Sequence, residues 1–253
     1  MSILSTVTKP KSQPTIITIT GSPGIGKTTL AATFPKPIVI RAEDGLESIP
    51  EEKRPDAFPI VKKVDDLWEQ LSALVTEDHD YKTLIVDSVT QLETLFGEHV
   101  VDNDPKASNL ATACGGYGAG YTAVSALHGR VRKAAQILNE RKGMHVIFIA
   151  HSEVSSVDLP DEDPYSRYEL RLHKKSAPHY SDNVHMVAYL RLETFTKGDN
   201  DVKKVISSNQ RIAICHTHAA QVSKNRYGIK EPIHVEEGEN PFIPFIKSLQ
   251  SGE

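Results

Sequence analysis

The chain has 253 residues, of which 39% are hydrophobic and 25% charged, enough apolar material for one sizeable α/β core and an ordinary globular composition. No apolar run reaches the roughly 18 residues of a membrane span, and the opening MSILSTVTKPKSQP contains no apolar segment like that of a secretory leader. The formal net charge of -4 gives no global attraction to nucleic acid, so any such binding falls to a local basic surface.

In chain order, residues 1–14 are rich in Ser, Thr, Lys and Pro and are expected to lack a fixed fold. The main domain is expected over 15–235, followed by a C-terminal segment over 236–253. Ile16 to Thr29 reads IITITGSPGIGKTT. A β-rich run breaks there into Gly21, Ser22, Pro23, Gly24, Ile25, Gly26, Lys27 and Thr28, with Thr29 behind, the spacing of a phosphate-binding loop. Glycines let the backbone curl so that successive N–H groups point inward at a phosphate. Lys27 would reach the β- and γ-phosphates, and Thr28 would hold Mg²⁺.

A short helical pattern at Leu30, Ala31 and Phe34 is stopped by Pro35 and Pro37. Pro37 to Ala42 reads as a buried strand leading into Glu43. Leu67, Trp68, Leu71, Leu74 and Val75 share one helical face behind Asp65 and Asp66. Thr83 to Ser88 is the next strand, and Val89, Leu92, Leu95 and Phe96 mark another helix. A Gly-rich loop from Cys114 to Tyr121 precedes a helix carrying Val124, Leu127, Val131 and Leu138, and then comes the strand His145 to His151. Strand alternating with helix predicts a parallel sheet covered on both faces. From about Asn183 apolar and polar residues alternate, and Gly198 to Asp201 reads as a hairpin turn before Arg211 to Cys215, so the sheet is expected to end in antiparallel strands. Cys114 and Cys215 have no metal-ligand spacing and read as reduced thiols of a cytoplasmic protein.

Asp87 closes an apolar strand, as a second Mg²⁺-site carboxylate should, although an acid there also suits the N-cap of the helix from Val89. Glu43 follows the second strand on the edge where ligands bind in open parallel sheets, so it is the candidate general base; the alternative is an exposed loop acid. His151 ends its strand and would sense the γ-phosphate if that strand lies between those of the loop and Asp87; the alternative is a structural hydrogen-bonder. Lys224 and Arg226 bracket Asn225 far along the chain, either as a solvated turn or as cations that neutralise transition-state charge. Between Tyr165 and Tyr180, aromatic and basic residues interleave in a way that suits single-stranded nucleic acid, as do Tyr117 and Tyr121; an exposed hairpin is the bland alternative, and the acidic run from Asp158 to Asp163 opposes DNA.

Read in order, GSPGIGKTT, IRAEDGL with Glu43, LIVDSV with Asp87, IFIAH with His151 and SKNRYG with Lys224 and Arg226 resemble the RecA-type recombinase ATPases, over roughly residues 15–230. The chain is similar to compact bacteriophage ATP-binding proteins of this class, some of which are single-strand annealing proteins. The resemblance implies an α/β RecA-like P-loop core that takes ATP and Mg²⁺, self-associates head to tail into a ring or filament, and binds single-stranded DNA, with a single-strand-binding protein as a further partner and the host cytoplasm as its place if phage-encoded. It implies that Glu43 is the catalytic carboxylate, that Asp87 sits in the Mg²⁺ shell and that Lys224 and Arg226 act on the next subunit's nucleotide. His151 stands where RecA has a glutamine. The excursions at about 102–121 and 152–182 match the family's DNA loops in position, which implies DNA contacts from Tyr117, Tyr121, Arg167, Tyr168, Arg171, Lys174 and Lys175. A helicase-like or helicase-loading motor, a nucleotide-gated interaction module and, against the trans-type cations, a small-molecule kinase are the alternatives.

Overall fold

β-Branched residues fit a pleated, buried surface, and the run from Ile16 becomes a strand with every residue buried in the computed structural model, which describes residues 3–9, 12–160, 163–197 and 204–250. In chain order the strands are β1 (Ile16–Gly21), β2 (Pro37–Arg41), β3 (Asp56–Ala57), β4 (Thr83–Asp87), β5 (His145–Val157), β6 (Tyr165–Leu170), β7 (Met186–Lys197), β8 (Lys204–Ile214), β9 (Lys224–Asn225) and β10 (Ile233–Val235). The helices are α1 (Lys27–Ala31), α2 (Val64–Thr76), α3 (Val89–Asp102), α4 (Ala119–Lys142), α5 (Pro178–Ser181) and α6 (Lys247–Gln250).

The strand order is β10-β8-β7-β1-β5-β4-β2-β3. β7 through β3 run parallel, while β8 and β10 are antiparallel to their neighbours. This is the expected α/β architecture, a mostly parallel sheet with helices on both faces and antiparallel C-terminal strands. Alternation sends Ile16 to one face of β1 and Ile17 and Ile19 to the other. On the first face Leu84, Val86, Val146 and Phe148 pack against Leu67, Leu92, Phe96, Val124 and Leu138 of α2, α3 and α4. On the second, Val39, Ile85, Ile147 and Ile149 meet Leu30 and Phe34, together with Phe242, Ile246 and Leu249 of the C-terminal segment.

Three elements differ from the sequence reading. β7 is parallel to β1, so the antiparallel part begins one strand later, between β7 and β8; a two-residue period carries no strand direction. β5 runs on past His151 to Val157 and pairs with β6 as a hairpin, Val157 opposite Tyr165 and Ser152 opposite Leu170. The polar residues Ser152, Glu153, Ser155 and Ser156 hide that continuation because it leaves the core. α4 begins at Ala119, so Tyr121 lies on a helix rather than in the loop. The proposed turn from Gly198 to Asp201 lies outside the described residues. In the N-terminal tail, Ile3–Thr6 forms one 3-10 turn that buries nothing.

Asn225 organises the turn after β9. Its Nδ2 donates to Cys215 O (2.8 Å) and Ile229 O (2.9 Å), and its Oδ1 accepts from the N–H groups of Tyr227 (3.0 Å) and Ile229 (2.9 Å). Breaking such a network leaves polar groups unpaired. Asn225→Ala is expected to lower unfolding free energy by about 2 kcal/mol, and Asn225→Asp by at least as much, since its carboxylate would face two carbonyls. Urea denaturation midpoints check both.

Candidate functional site

In an open parallel sheet the C-terminal strand ends share one edge, and here β1, β5, β4 and β2 deliver their following residues to that edge. The loop after β1 depends on glycine twice. At Gly21 the carbonyl of Leu190 in β7 lies where a Cβ would stand, and Gly26 has φ 96°, a left-handed value that disfavours other residues. Lys27 is buried, and its Nζ donates to Gly21 O (3.1 Å) and Ser22 O (2.9 Å). Burial lowers its pKa, opposed by the charges of Asp87 and Glu43. Pro23, Gly24 and Thr29 line the cleft above the loop, and Ile25 packs on the core beneath.

Asp87 is 3% exposed at the end of β4. Its Oδ2 accepts from Thr28 Oγ1 at 2.7 Å, and its carbonyl accepts from the N–H groups of Ala42 (2.7 Å) and Glu43 (3.3 Å). The helix cap is Ser88, whose side chain accepts from Gln91 N, which leaves the Asp87 carboxylate to the cleft. The Asp87–Ser88 peptide is cis. Desolvation raises the Asp87 pKa to about 6, against the Thr28 hydrogen bond, which lowers it.

His151 bridges the two other groups. Its Nε2 lies 3.1 Å from Glu43 Oε1 and its Nδ1 3.5 Å from Lys27 Nζ. The hydrogen bond from His151 is the main cause that holds the Glu43 carboxyl below its usual range, against burial and with help from Ser88. The backbone of His151 is tied on both sides, its N–H donating to Thr90 Oγ1 (2.9 Å) and its carbonyl accepting from Arg171 N (2.8 Å). The cleft enclosing Gly24, Lys27, Thr28, Glu43, Asp87 and His151 measures about 470 Å³, within the range of small-ligand sites.

Not every sequence-predicted residue comes to this cleft. β9 pairs with Met186 and Val187 at the start of β7, whereas the loop follows the far end of β1, where Gly21 is level with Leu190. Lys224 Nζ donates to Asp182 O (2.6 Å). The second cluster draws the two excursions into one surface. Tyr121 stacks on His173 with ring centroids 4.4 Å apart, and Lys175 Nζ donates to Gly118 O (3.1 Å) and Thr122 Oγ1 (2.6 Å). Arg167 is paired with Glu169, and Tyr168 stacks on Tyr189 at 5.1 Å. Tyr117 is fully exposed and Lys174 is exposed, but Tyr180 is buried, with its hydroxyl 2.7 Å from His128 Nδ1. Arg171 lines a groove between α3 and the hairpin that also carries Glu93, Glu98, Asp102 and Glu153.

Sequence reasoning missed Arg211 of β8, which also lines the nucleotide cleft. The available signal was a cation heading the apolar run Ile212 to Cys215.

A family model for the AAA domain matches residues 13–227. The chain belongs to the AAA domain family. It therefore carries a P-loop NTPase-type ATPase domain, for which nucleotide is the ligand and Mg²⁺ the usual companion. No curated protein matches the chain significantly. Among the described residues no helix is long and apolar enough to cross a membrane.

The Asp87 environment has a pH signature. The unfolded carboxyl ionises near 3.8 and the folded one near 6, so between these values the folded state holds more protons and stability falls as pH rises, reaching its full deficit above pH 6. Without metal, Asp87→Asn is expected to exceed the parent by about 3 kcal/mol at pH 8 and by about half that at pH 5. Urea unfolding at both pH values measures the gap; equal stabilities at pH 8 would contradict the burial cost.

Proposed function

We propose that the chain is an ATP-hydrolysing RecA-like protein that binds single-stranded DNA, assembles head to tail and promotes strand annealing. The convergence of Lys27, Thr28, Asp87, Glu43 and His151 on one cleft carries the hydrolytic part of this reading. The Thr28 hydroxyl and Asp87 carboxylate are hard oxygen donors of the kind Mg²⁺ takes alongside nucleotide phosphates. Bound there, Mg²⁺ would neutralise charge on the β- and γ-phosphates. Thr28 and Asp87 hold the metal shell, the loop N–H groups and Lys27 hold phosphate oxygens, and Glu43 orients the attacking water and accepts its proton. His151 keeps Glu43 ionised in readiness. Its backbone link to Arg171 joins the cleft to the β5–β6 hairpin, so a shift of His151 is felt at the second surface.

The trans role of Lys224 and Arg226 draws support from register. Met186, level with β9, is four strand residues before Leu190, level with Gly21, which is roughly 13 Å at about 3.3 Å per residue. From there these cations serve a neighbour's nucleotide better than their own. DNA contact draws support from exposed Tyr117 and Lys174 and from the joining of both excursions. The acidic groove beside Arg171 favours the nucleotide-gated protein-interaction reading.

Lys27→Ala is expected to abolish nucleotide binding, and Glu43→Gln to bind ATP with Mg²⁺ but release phosphate at least about 100-fold more slowly, the contribution of a general base. Parental turnover by Glu43→Gln would remove it as the base. Arg226→Ala mixed with Lys27→Ala should recover some ATPase, because an interface can combine one intact loop with one intact cation; no recovery in mixtures shown by light scattering to co-assemble would count against the trans role.

For DNA, fluorescence anisotropy on a labelled oligonucleotide separates charge from stacking. Lys174→Ala should reduce the log–log salt slope by about 0.7, whereas Tyr117→Ala should weaken binding by about 1–3 kcal/mol with the slope unchanged. Unchanged affinity in both folded variants would sink the DNA surface and favour the interaction module.

A further inference from the structure

Arg211 reaches the phosphate loop through strand parity and a local irregularity. Along β8, Ile212 and Ile214 pack with Tyr189 on one face, while Ala213 and Cys215 pack with Leu190, Ile17 and Leu30 on the other. Arg211 shares the parity of Ala213 and so turns to the α1 face. β8 runs antiparallel to β7, with Leu190 opposite Ala213 and Leu192 opposite Arg211. Leu190 is already level with Gly21, so Arg211 lies beyond the end of β1, over the loop. Between the pairs Leu192–Arg211 and Thr194–Ser207 the register shifts, and Asn209 in that stretch has φ 60°. Bulges of this kind re-aim the adjoining side chains.

The guanidinium meets the loop closely. Arg211 Nη1 is 2.8 Å from where a Cβ on Gly26 would stand. Among the described residues Arg211 forms no ion pair. A half-buried, unpaired guanidinium in a cleft is an anion-binding group. Lys27 Nζ lies against the carbonyls of Gly21 and Ser22 and against His151, whereas Arg211 Nη1 lies against Gly26.

We propose that Arg211 is a nucleotide-binding residue supplied by the same subunit, and that it grips the α- and β-phosphates shared by ATP and ADP rather than the γ-phosphate. The proposal rests on the ATPase reading of the cleft. It divides the labour among the cations: Lys27 meets the end that changes on hydrolysis, and Arg211 holds the end that does not. Product ADP is therefore retained by the same group that binds substrate.

Displacement of a fluorescent ADP analogue by ADP, ATP and pyrophosphate, for the parent, Arg211→Ala, Arg211→Gln and Lys27→Ala, tests this. Both Arg211 variants should lose affinity for all three competitors by a similar factor, about 10–100-fold for a charge-assisted contact, while the ADP-to-ATP ratio of Kd stays as in the parent. Arg211→Gln keeps most of the side-chain length, and a circular dichroism melt matching the parent separates lost charge from lost fold. Parental affinities in a folded Arg211→Gln overturn the proposal, loss confined to ATP transfers the residue to the γ-phosphate and overturns it equally, and loss for nucleotides but not pyrophosphate moves it to the nucleoside. A parent that binds no nucleotide, indistinguishable from Lys27→Ala, is instead the failure of the ATPase reading.

Discussion

Holding a carboxylate at the closed end of a fully buried strand is costly, and the surroundings of Asp87 are arranged about that cost. The short hydrogen bond from Thr28 and, less strongly, the charges of Lys27 and His151 compensate part of it, and the remainder appears as a pKa lifted to about 6. A cation brought to Asp87 and Thr28 would relieve what the protein leaves unrelieved. The site thus favours positive charge, and the charges of Asp87 and Glu43 oppose the lowering of the Lys27 pKa by burial. Two further constraints keep this geometry. Gly21 admits the Leu190 carbonyl against the loop, and the Asp87 carbonyl pins the backbone of Ala42 and Glu43.

β5 is the element through which the cleft communicates with the rest of the molecule. Its first half is buried between β1 and β4 and its second half leaves the core as a hairpin. His151 stands at the change, with its side chain between Lys27 and Glu43 and its backbone bonded to α3 through Thr90 and to the segment after β6 through Arg171. That segment is in turn held to α3 by Glu93, which accepts from His173 N (3.1 Å) and Ser176 Oγ (3.0 Å). A change at Glu43 or Lys27 therefore has a short, packed route to the groove. The route is a physical connection, and coupling along it requires two alternative arrangements of the hairpin.

Cations divide by the element that carries them. Lys27 comes from the start of α1 where the loop ends, Arg211 from the antiparallel extension of the same sheet, and Lys224 and Arg226 from β9 and the turn after it, beside the opposite end of β7. The extension is thus more than cover for the sheet. β8 carries Arg211, which lines the nucleotide cleft, and β9 fixes the turn through Asn225.

The sequence by itself determined the local chemistry and the alternation of elements. Glycine at Gly21 and Gly26, the β-branched runs of β1 and β4 and the helical faces of α2 and α3 are short-range patterns, each imposed by backbone sterics or by a single repeating period. Asp87 and Glu43 were legible because one closes and the other follows a recognisable strand, and strand ends share an edge. Only the tertiary structure decided what depends on pairing between distant segments: that β7 runs parallel to β1, that β5 continues into a hairpin, that Ser88 rather than Asp87 caps α3, and that Tyr121 is stacked on His173. Arg211 is the clearest instance. Its approach to Gly26 rests on register across β8, β7 and β1 and on an irregularity beside Asn209, and register is a property of paired strands that no single strand contains.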